Sequence, residues 1–418
     1  MAGCPVQSRR PVSHQEAEGC GDRIESVFHR QESMTPSTIL YLHDSLVMAG
    51  AENSLLNLAG KLDRNLFRPI FVCAGEGPFA QSLRGLGIPV SFAEFPRLKT
   101  PNPVRIWRTA AQLTRTIRAE GVQIVHANTP RSNFYAALAA KWTGARLVWH
   151  ARNLLTEGMI DIDNVLGFIP DRIVCNSDAI RERFKGRRNA VTIINGVNLD
   201  RFTPSISGRK VRDEFGVPTD ARVVGITSRL DPEKGHDCFL KAAQELTEHY
   251  GNLRFMIVGK AFIDGQDREA ALRRLANDLG VADKVIFTGF RTDMPEVLAS
   301  FDVFVLAADA EPCGRVLFEA MAVQKPVVGT NTGGTPEIVV HNETGILIPP
   351  GDPDALALAI RSLLDDERRA AEMGRLGRKR AVERFSIEAH VRKTEALYLE
   401  LLGKSATRSE AAQSPATV

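Results

Sequence analysis

Aromatic side chains make up only 6% of this chain, and its charge is nearly balanced. Lys and Arg number 53 against 50 Asp and Glu, which gives a formal charge of +3 over 418 residues. A protein that binds nucleic acid needs a concentrated basic surface, often with aromatic rings for base stacking. The composition therefore argues against nucleic acid as the main partner.

Cysteines are few, and apolar runs are short. None of the six cysteines belongs to a C-x-x-C pair, so neither a zinc site nor a disulfide framework is predicted. No apolar stretch follows the basic pair at 9–10, and no apolar run approaches the roughly 20 residues that span a bilayer. We expect a cytoplasmic protein, with peripheral contact at the inner membrane face as an open alternative.

What the chain does contain is a regular alternation of apolar runs and helical patterns. Continuous Val, Ile and Leu strands between helices predict parallel sheets covered on both faces. The fold class expected is α/β, with two doubly wound Rossmann-like domains facing each other across a cleft. The predicted strands lie at 38–43, 69–74, 90–93, 122–127, 145–151, 172–176, 190–194, 222–228, 254–259, 284–288, 303–307, 326–329 and 345–348.

The boundary between the two halves is a segment rich in Pro, Ser and Gly at 203–210. It divides an N-terminal domain at 37–202 from a C-terminal domain at 211–385, and a last helix is predicted over 386–403. The ends at 1–36 and 404–418 lack periodicity and are predicted to be disordered. Doubly wound domains bind ligands at the carboxyl ends of their strands, which here meet in the cleft.

Three short patterns resemble ligand sites. Residues 75–80 follow the G-x-G-x-x-A outline of dinucleotide binding, but Pro78 removes a backbone donor there, and we favour an ordinary strand-to-helix turn. The D-x-D patterns at 161–163 and 352–354 resemble metal-diphosphate signatures. Acids at a helix start more often cap the helix. We therefore predict no metal site.

Glu311 and Glu319 flank the predicted start of a helix that follows an apolar strand. The backbone N–H groups around Gly314, Arg315 and Val316 lack partners within such a helix, and they form a site for phosphate or diphosphate. The two carboxylates would accept hydrogen bonds from sugar hydroxyls on either side. A ligand with phosphates in its middle and sugar hydroxyls at both ends is a nucleotide-diphosphate sugar.

This Glu-x7-Glu segment resembles that of retaining glycosyltransferases with the GT-B fold. Other segments agree in order and spacing with glycosyltransferase family 4, and the chain is identified as resembling a member of that family. They are 48–52 (MAGAE), 195–204 (NGVNLDRFTP), 227–235 (TSRLDPEKG) and 333–352 (GGTPEIVVHNETGILIPPGD).

The resemblance implies transfer of a sugar from a nucleotide-diphosphate sugar to an acceptor hydroxyl, with retention at the anomeric carbon and without metal or another cofactor. Arg229 and Lys234 would hold the diphosphate and stabilise the leaving group. Glu319 would bind the ribose hydroxyls, Glu311 the donor sugar, and His150 would lie near the reaction centre.

The N-terminal half departs from the family pattern at two places. Ala49 stands where relatives carry the first Gly of a loop that, with Gly50, lets backbone approach the diphosphate. His126 is a second candidate site histidine, but Asn128 occupies the position where many relatives have another histidine. In the C-terminal half, Cys313 stands where relatives usually carry a bulkier residue.

The acceptor and the product are less well defined. The resemblance suggests an acceptor sugar, lipid-linked sugar or small molecule, in polysaccharide, glycolipid or related synthesis. Helix 104–119 places basic residues near one face and apolar residues near another, so it is either a membrane-surface helix or, as we favour, a domain helix with a solvated basic face. A nucleotide-sugar epimerase or hydrolase, a sugar phosphorylase and a non-enzymatic sensor stay open as alternatives.

Overall fold

The computed structural model describes residues 35–46, 48–98, 101–155, 161–261 and 267–404. Nearly all of the two ends predicted to be disordered lies outside these residues. The described chain contains two parallel sheets with helices on both faces, as the alternating pattern predicts. All thirteen predicted strands are found, each within two residues of its expected bounds.

The N-terminal sheet has seven strands in the order β3-β2-β1-β4-β5-β6-β7. Its strands are β1 (Ser37–His43), β2 (Phe67–Cys73), β3 (Val90–Phe92), β4 (Val122–Ala127), β5 (Arg146–Ala151), β6 (Arg172–Cys175) and β7 (Ala190–Thr192). The helices of this half are α1 (Gly50–Lys61), α2 (Pro78–Gly85), α3 (Pro103–Ala119), α4 (Pro130–Thr143), α5 (Ile162–Val165) and α6 (Asp178–Arg181). Every residue of β1 is buried, because helices cover both faces of the sheet.

The C-terminal sheet has six strands in the order β10-β9-β8-β11-β12-β13. They are β8 (Arg222–Thr227), β9 (Leu253–Val258), β10 (Val285–Gly289), β11 (Val303–Leu306), β12 (Val327–Thr330) and β13 (Ile346–Ile348). Its helices are α7 (Arg209–Glu214), α8 (His236–His249), α9 (Arg268–Asp278), α10 (Met294–Ala299), α11 (Arg315–Ala322), α12 (Thr335–Ile338), α13 (Pro353–Leu364) and α14 (Glu367–Phe385). In both sheets the strand order reverses once, between β1 and β4 and between β8 and β11.

Helix α14 is an element that the sequence pattern did not predict, because it is rich in charged residues and contains two glycines. The packing explains one of these glycines. A Cβ atom on Gly374 would lie 2.3 Å from the carbonyl oxygen of Gln324, so only glycine lets the helix approach this backbone. Helix α14 packs along α11 and thereby supports the helix that carries the Glu-x7-Glu segment.

The last helix, α15 (Ile387–Leu401), leaves the C-terminal domain and packs on the N-terminal one. Its buried face joins the hydrophobic core beneath β1 and α1, and the Tyr398 hydroxyl lies 2.9 Å from that of Tyr41. The chain passes from one domain to the other near Val197 and returns near Ser386. These two residues form a parallel bridge, so the two crossings lie side by side. The two domains are therefore joined by a pair of adjacent connections.

Helix α3 buries one face in the N-terminal domain and exposes the other. Leu113 and Ile117 enter the core of the N-terminal domain, and the helix packs against α4. Trp107, expected on the same apolar face, is instead 63% exposed. Within the described ranges, no helix is long and apolar enough to cross a membrane.

Candidate active site

The loops after β8 and β11 place the predicted phosphate-binding residues side by side. These strands are parallel neighbours at the point where the strand order reverses. Ligands in open α/β sheets bind at this point, outside the carboxyl ends of the strands. Arg229 and Lys234 follow β8, while Glu311 and Gly314 follow β11, so residues far apart in sequence reach one edge of the sheet.

Helix α11 begins at this edge with no side-chain cap. Its N-cap is Gly314, whose φ of 58° lies in the left-handed region that favours glycine. The N–H of Gly314 donates to Glu311 Oε1 at 3.1 Å. The helix start that follows, at Arg315 and Val316, is free of a capping side chain and suits an anion.

Glu311 and Lys234 bind each other. Lys234 Nζ lies 3.0 Å from Glu311 Oε2, and both side chains are less than one-fifth exposed. With Gly314 on the other oxygen, both oxygens of the Glu311 carboxylate are engaged. The pair fixes the Lys234 ammonium beside the start of α11, where it adds positive charge next to the helix dipole.

Glu319 lies one turn further along α11 and pairs with Arg315, whose guanidinium is 2.8 Å from Oε1. The Glu319 side chain is 5% exposed. Burial raises the pKa of Glu319, while Arg315 and Arg201 oppose the rise. Arg315 also meets the N-terminal domain, because its Nε would lie 3.8 Å from a Cβ on Gly50.

The loop before α1 brings a second helix start to the same place. Ala49 is the N-cap of α1, and its N–H donates to Glu52 Oε2 at 3.0 Å. The other oxygen of Glu52 lies 2.8 Å from His43 Nε2 in a buried pair. Glu52 thus holds the loop rather than a ligand, and Gly50 faces Arg315 across the cleft.

A cavity of about 460 Å³ lies between these two helix starts. Six predicted site residues line it, and His150, Lys234, Glu311 and Gly314 do not. The predicted lining residues are Ala49, Gly50, Arg229, Arg315, Val316 and Glu319. The structure adds residues from α1, from the connection between domains and from the loop after β10, among them Asn53, Asn57, Asn198, Arg201, Phe290, Arg291 and Thr292.

Arg229 is half-exposed at this cavity, and Asp231 Oδ2 lies 2.8 Å from its guanidinium. Asp231 is itself buried, so it restrains the flexible Arg229 side chain. The guanidinium retains further N–H donors for a diphosphate oxygen. Arg201, in the segment 195–204 that resembles the family, adds another cation to the lining beside Arg229 and Arg315.

His150 is buried near the end of β5. Its Nδ1 lies 3.2 Å from an N–H group of Arg152 and 3.3 Å from His126 Nε2. Among the described residues its Nε2 has no hydrogen-bond partner. Burial and the charge of Arg152 hold the pKa of His150 well below its ordinary value, so the ring is neutral.

His126 has both ring nitrogens in contact with protein groups. It is fully buried, and its two ring nitrogens contact Tyr398 and His150. Burial and nearby Arg152 lower the pKa of His126 to about 3. His126, the second candidate site histidine, therefore has no ring nitrogen left for a ligand in this arrangement. Asn128 is also committed, since its Oδ1 accepts from Arg152 at 3.2 Å.

Arg152, Asn195 and Cys313 connect this cluster to the Glu-x7-Glu segment. Arg152 donates to Asn195 Oδ1 at 3.4 Å, and Asn195 Nδ2 donates to Cys313 Sγ at 3.5 Å. Burial raises the pKa of Cys313 to about 12, so the thiol is protonated. These contacts give Cys313 a role that the sequence did not suggest, as a small side chain buried between domains.

The acids of the two D-x-D patterns have structural partners. Asp161 caps α5 and forms an ion pair with Arg183 at 2.7 Å. Asp352 caps α13, as the sequence suggested. Among the described residues, no group of three or more His, Cys, Asp or Glu side chains could hold a metal ion.

Comparison with known protein families accounts for this arrangement. The model described as Glycosyltransferase Family 4 matches residues 48–201, and the model described as Glycosyl transferases group 1 matches residues 208–380. Between them they cover both sheets and both sides of the cavity. The chain belongs to glycosyltransferase family 4. Its two sheets form the GT-B fold that the sequence predicted.

Individual relatives agree with this assignment. The chain is 38% identical over 200 residues to the GDP-mannose-dependent alpha-(1-6)-phosphatidylinositol monomannoside mannosyltransferase of Mycolicibacterium smegmatis, covering 46% of this chain and 51% of that one. It is 33% identical over 237 residues to the lipopolysaccharide core biosynthesis glycosyltransferase LpsE of Rhizobium meliloti, covering 56% and 64%. The matched region thus spans about half to two-thirds of these relatives' length.

A solved structure matches over nearly its full length. The crystal structure of Anabaena HepE in complex with UDP and glucose superposes with a TM-score of 0.77 at 27% identity. The match covers 86% of this chain and 98% of HepE. The similarity extends over both domains.

Proposed function

We propose that this family 4 protein transfers a sugar from a nucleotide-diphosphate sugar to an acceptor hydroxyl. The observation that carries the proposal is the cavity between two helix starts, which is lined by the cations Arg229 and Arg315 and by the buried carboxylate of Glu319. The structure of HepE with UDP and glucose supports a donor of this class. Detecting a glycosylated acceptor, rather than free sugar or an epimer, tests transfer against hydrolysis and epimerisation.

The proposed roles follow the positions of the charges. The diphosphate would bind at the start of α11, near Arg229 and Lys234, where charge develops on the leaving group. Glu319 would accept hydrogen bonds from the ribose hydroxyls. Glu311 would contact the donor sugar, once Lys234 turns from the carboxylate toward the phosphate.

We propose retention at the anomeric carbon through substitution on one face. A double displacement needs a carboxylate nucleophile placed at the anomeric carbon, and the role proposed for Glu311 is instead to bind the hydroxyls of the donor sugar. The leaving diphosphate would then accept the proton of the incoming hydroxyl. The anomeric configuration of the product, read by proton NMR before mutarotation, tests retention, and an inverted product contradicts it.

We propose that no metal ion takes part. Arg229, Lys234, Arg315 and the start of α11 supply positive potential at the diphosphate without one. Turnover unchanged by EDTA is the expected result. Loss of turnover that Mn²⁺ restores would overturn this part of the proposal.

We also propose that the product is a glycolipid, polysaccharide or related glycoconjugate, formed at the inner face of a membrane. The names of the two curated relatives refer to lipid-linked acceptors and lipopolysaccharide, which supports this class. The outward face of α3 supports the location, because Trp107 and Trp142 form an edge-to-face pair, 4.9 Å between ring centroids, beside exposed Arg108 and Arg115. Interfacial tryptophan with basic residues suits an anionic lipid surface.

Flotation with vesicles tests this membrane contact. The protein should float with vesicles containing phosphatidylglycerol at low salt and much less with phosphatidylcholine alone. Trp107→Ser should reduce flotation severalfold, while Phe168→Ser, which removes another exposed aromatic side chain, should not. Equal flotation of both variants, or none by the wild type, would contradict the proposed surface.

A further inference from the structure

Within the buried cluster behind the cleft, the donors and acceptors fix one direction for the hydrogen bonds. Arg152 can only donate, so His150 Nδ1 accepts its N–H at 3.2 Å. A neutral imidazole that accepts at Nδ1 carries its hydrogen on Nε2. The geometry therefore sets the tautomer of His150 from a neighbour whose role is unambiguous.

The hydrogen bonds keep the same donor-to-acceptor direction from Tyr398 of α15 through His126 to His150. Because His150 Nδ1 accepts, the 3.3 Å contact with His126 has His126 Nε2 as donor. His126 Nδ1 then accepts from the hydroxyl of Tyr398 at 2.5 Å. Tyr398 belongs to α15, which returns from the C-terminal domain, so the final segment of the chain supports a residue of β5.

The outcome is a buried N–H with no protein acceptor. His150 is 2% exposed, and its Nε2 has no partner among the residues that the structure describes. Leaving a buried donor unpaired is costly, and such groups are few in folded proteins, so this N–H calls for an acceptor. Through Arg152 and Asn195, His150 is linked to Cys313 beside Glu311, where the donor sugar is proposed to bind.

We propose that Tyr398 and Arg152 are positioning residues that hold His150 as the neutral Nε2–H tautomer, so that it donates a hydrogen bond to an oxygen of the bound donor sugar. Contact with the sugar rests on the proposed function. The tautomer itself does not, because it is a property of the protein without ligand. His150 would then act as a hydrogen-bond donor and not as a general base.

The tautomer is tested by two-dimensional ¹⁵N–¹H NMR of the full chain labelled at histidine, with the His150 signals assigned by loss in His150→Gln. The wild type should show His150 protonated at Nε2 only, unchanged from pH 5.5 to 8. Tyr398→Phe should shift His126 toward a mixture of tautomers. A His126 that presents a bare Nε2 would draw a hydrogen to His150 Nδ1 in competition with Arg152, so His150 should become mixed as well. A wild-type His150 protonated at Nδ1, or one that titrates in this range, would overturn the proposal.

Tyr41→Phe is the matched control, because it removes a hydroxyl that contacts Tyr398 and not His126, while it keeps the ring that stacks on His126. It should leave the His150 tautomer unchanged and keep kcat within about twofold, whereas Tyr398→Phe should lower kcat about tenfold with little change in KM. Equal effects of the two substitutions would mean only a structural role for Tyr398.

His150→Gln retains an amide donor near the position of Nε2, and His150→Leu retains none. If His150 donates, the Gln variant should keep at least about tenfold more activity than the Leu variant. Equal loss in both would contradict the donor role. A correct tautomer in a protein that transfers no sugar would instead contradict the proposed function and leave the positioning by Tyr398 and Arg152 standing.

Discussion

The two sides of the cleft use different chemistry. The C-terminal side presents ions, namely the Lys234–Glu311 and Arg315–Glu319 pairs beside an uncapped helix start. The N-terminal side presents a neutral, buried network of histidine, tyrosine and asparagine around one guanidinium. Ions suit a diphosphate that gains charge as it leaves, while neutral donors suit sugar hydroxyls.

This difference also explains why the site residues of the C-terminal side could be predicted from the sequence, while most of those on the N-terminal side could not. Charged residues at fixed spacing around a helix start form a local pattern, so a short segment contains the information. The neutral network joins residues far apart along the chain, and His126 and Tyr398 are separated by 272 positions. No local signal connects them, and Arg152 was missed although it follows His150 by only two residues.

The largest effect should come from the ionic side. Lys234→Ala removes the ammonium beside the start of α11 and leaves Glu311 without its partner. We expect kcat to fall by about 10²–10³-fold, the usual cost of removing a group that stabilises developing charge. Lys241→Ala, an exposed lysine of α8, is the matched control and should stay near wild type in the same initial-rate assay.

Glu319→Gln separates binding from stability. Loss of the carboxylate should raise KM for the donor about tenfold, because Gln is a weaker acceptor for ribose hydroxyls. The free energy of unfolding of the variant should instead increase relative to wild type. The folded-state pKa of Glu319 is raised by burial, so the wild-type carboxyl favours folding less as pH rises through that value.

The pH dependence follows from that sign. The melting temperature of Glu319→Gln, relative to wild type, should become more favourable between pH 5 and pH 8. Thermal unfolding without ligand measures it at each pH. A relative melting temperature that falls as pH rises would mean that the Arg315 pair outweighs burial.

A smaller effect is expected where the two sides touch directly. Glu337, in α12, accepts the N–H groups of Asp178 and Ala179 at 2.7 and 2.9 Å and so caps α6 of the other domain. Glu337→Ala should lower the free energy of unfolding by about 1 kcal/mol, the typical cost of a lost cap. Urea denaturation measures it, with exposed Glu343→Ala as control. No difference between the two variants would show that this contact does not stabilise the domains' association.

The smallest effect should come from Cys313→Ser. Its hydroxyl replaces a thiol that accepts only a weak hydrogen bond from Asn195, so kcat should stay within about threefold. The wild-type Cys313 should also resist iodoacetamide at pH 8, since burial raises its pKa to about 12. Peptide mass spectrometry checks this, and rapid labelling of Cys313 would contradict a closed contact between domains.

The fold was largely predictable because buried parallel strands leave continuous apolar runs that recur regularly. Helix α14 was missed for a physical reason, since its charged surface and its glycines hide a helix that only packing against α11 explains. The cations of the site were predictable, but the pairing of Lys234 with Glu311 was not. The sequence predicts a ligand contact for each of them, whereas in the structure they bind each other.

The central claim is that a nucleotide-diphosphate sugar binds between the domains with its diphosphate at the start of α11. Calorimetric titration with UDP, GDP and ADP tests it most directly. We expect the wild type to bind at least one of them with a Kd in the micromolar range, the Arg229→Ala, Lys234→Ala double variant to bind it about 100-fold more weakly, and Lys241→Ala to match wild type. Absence of binding by the wild type, or equal affinity in the double variant, would contradict the account.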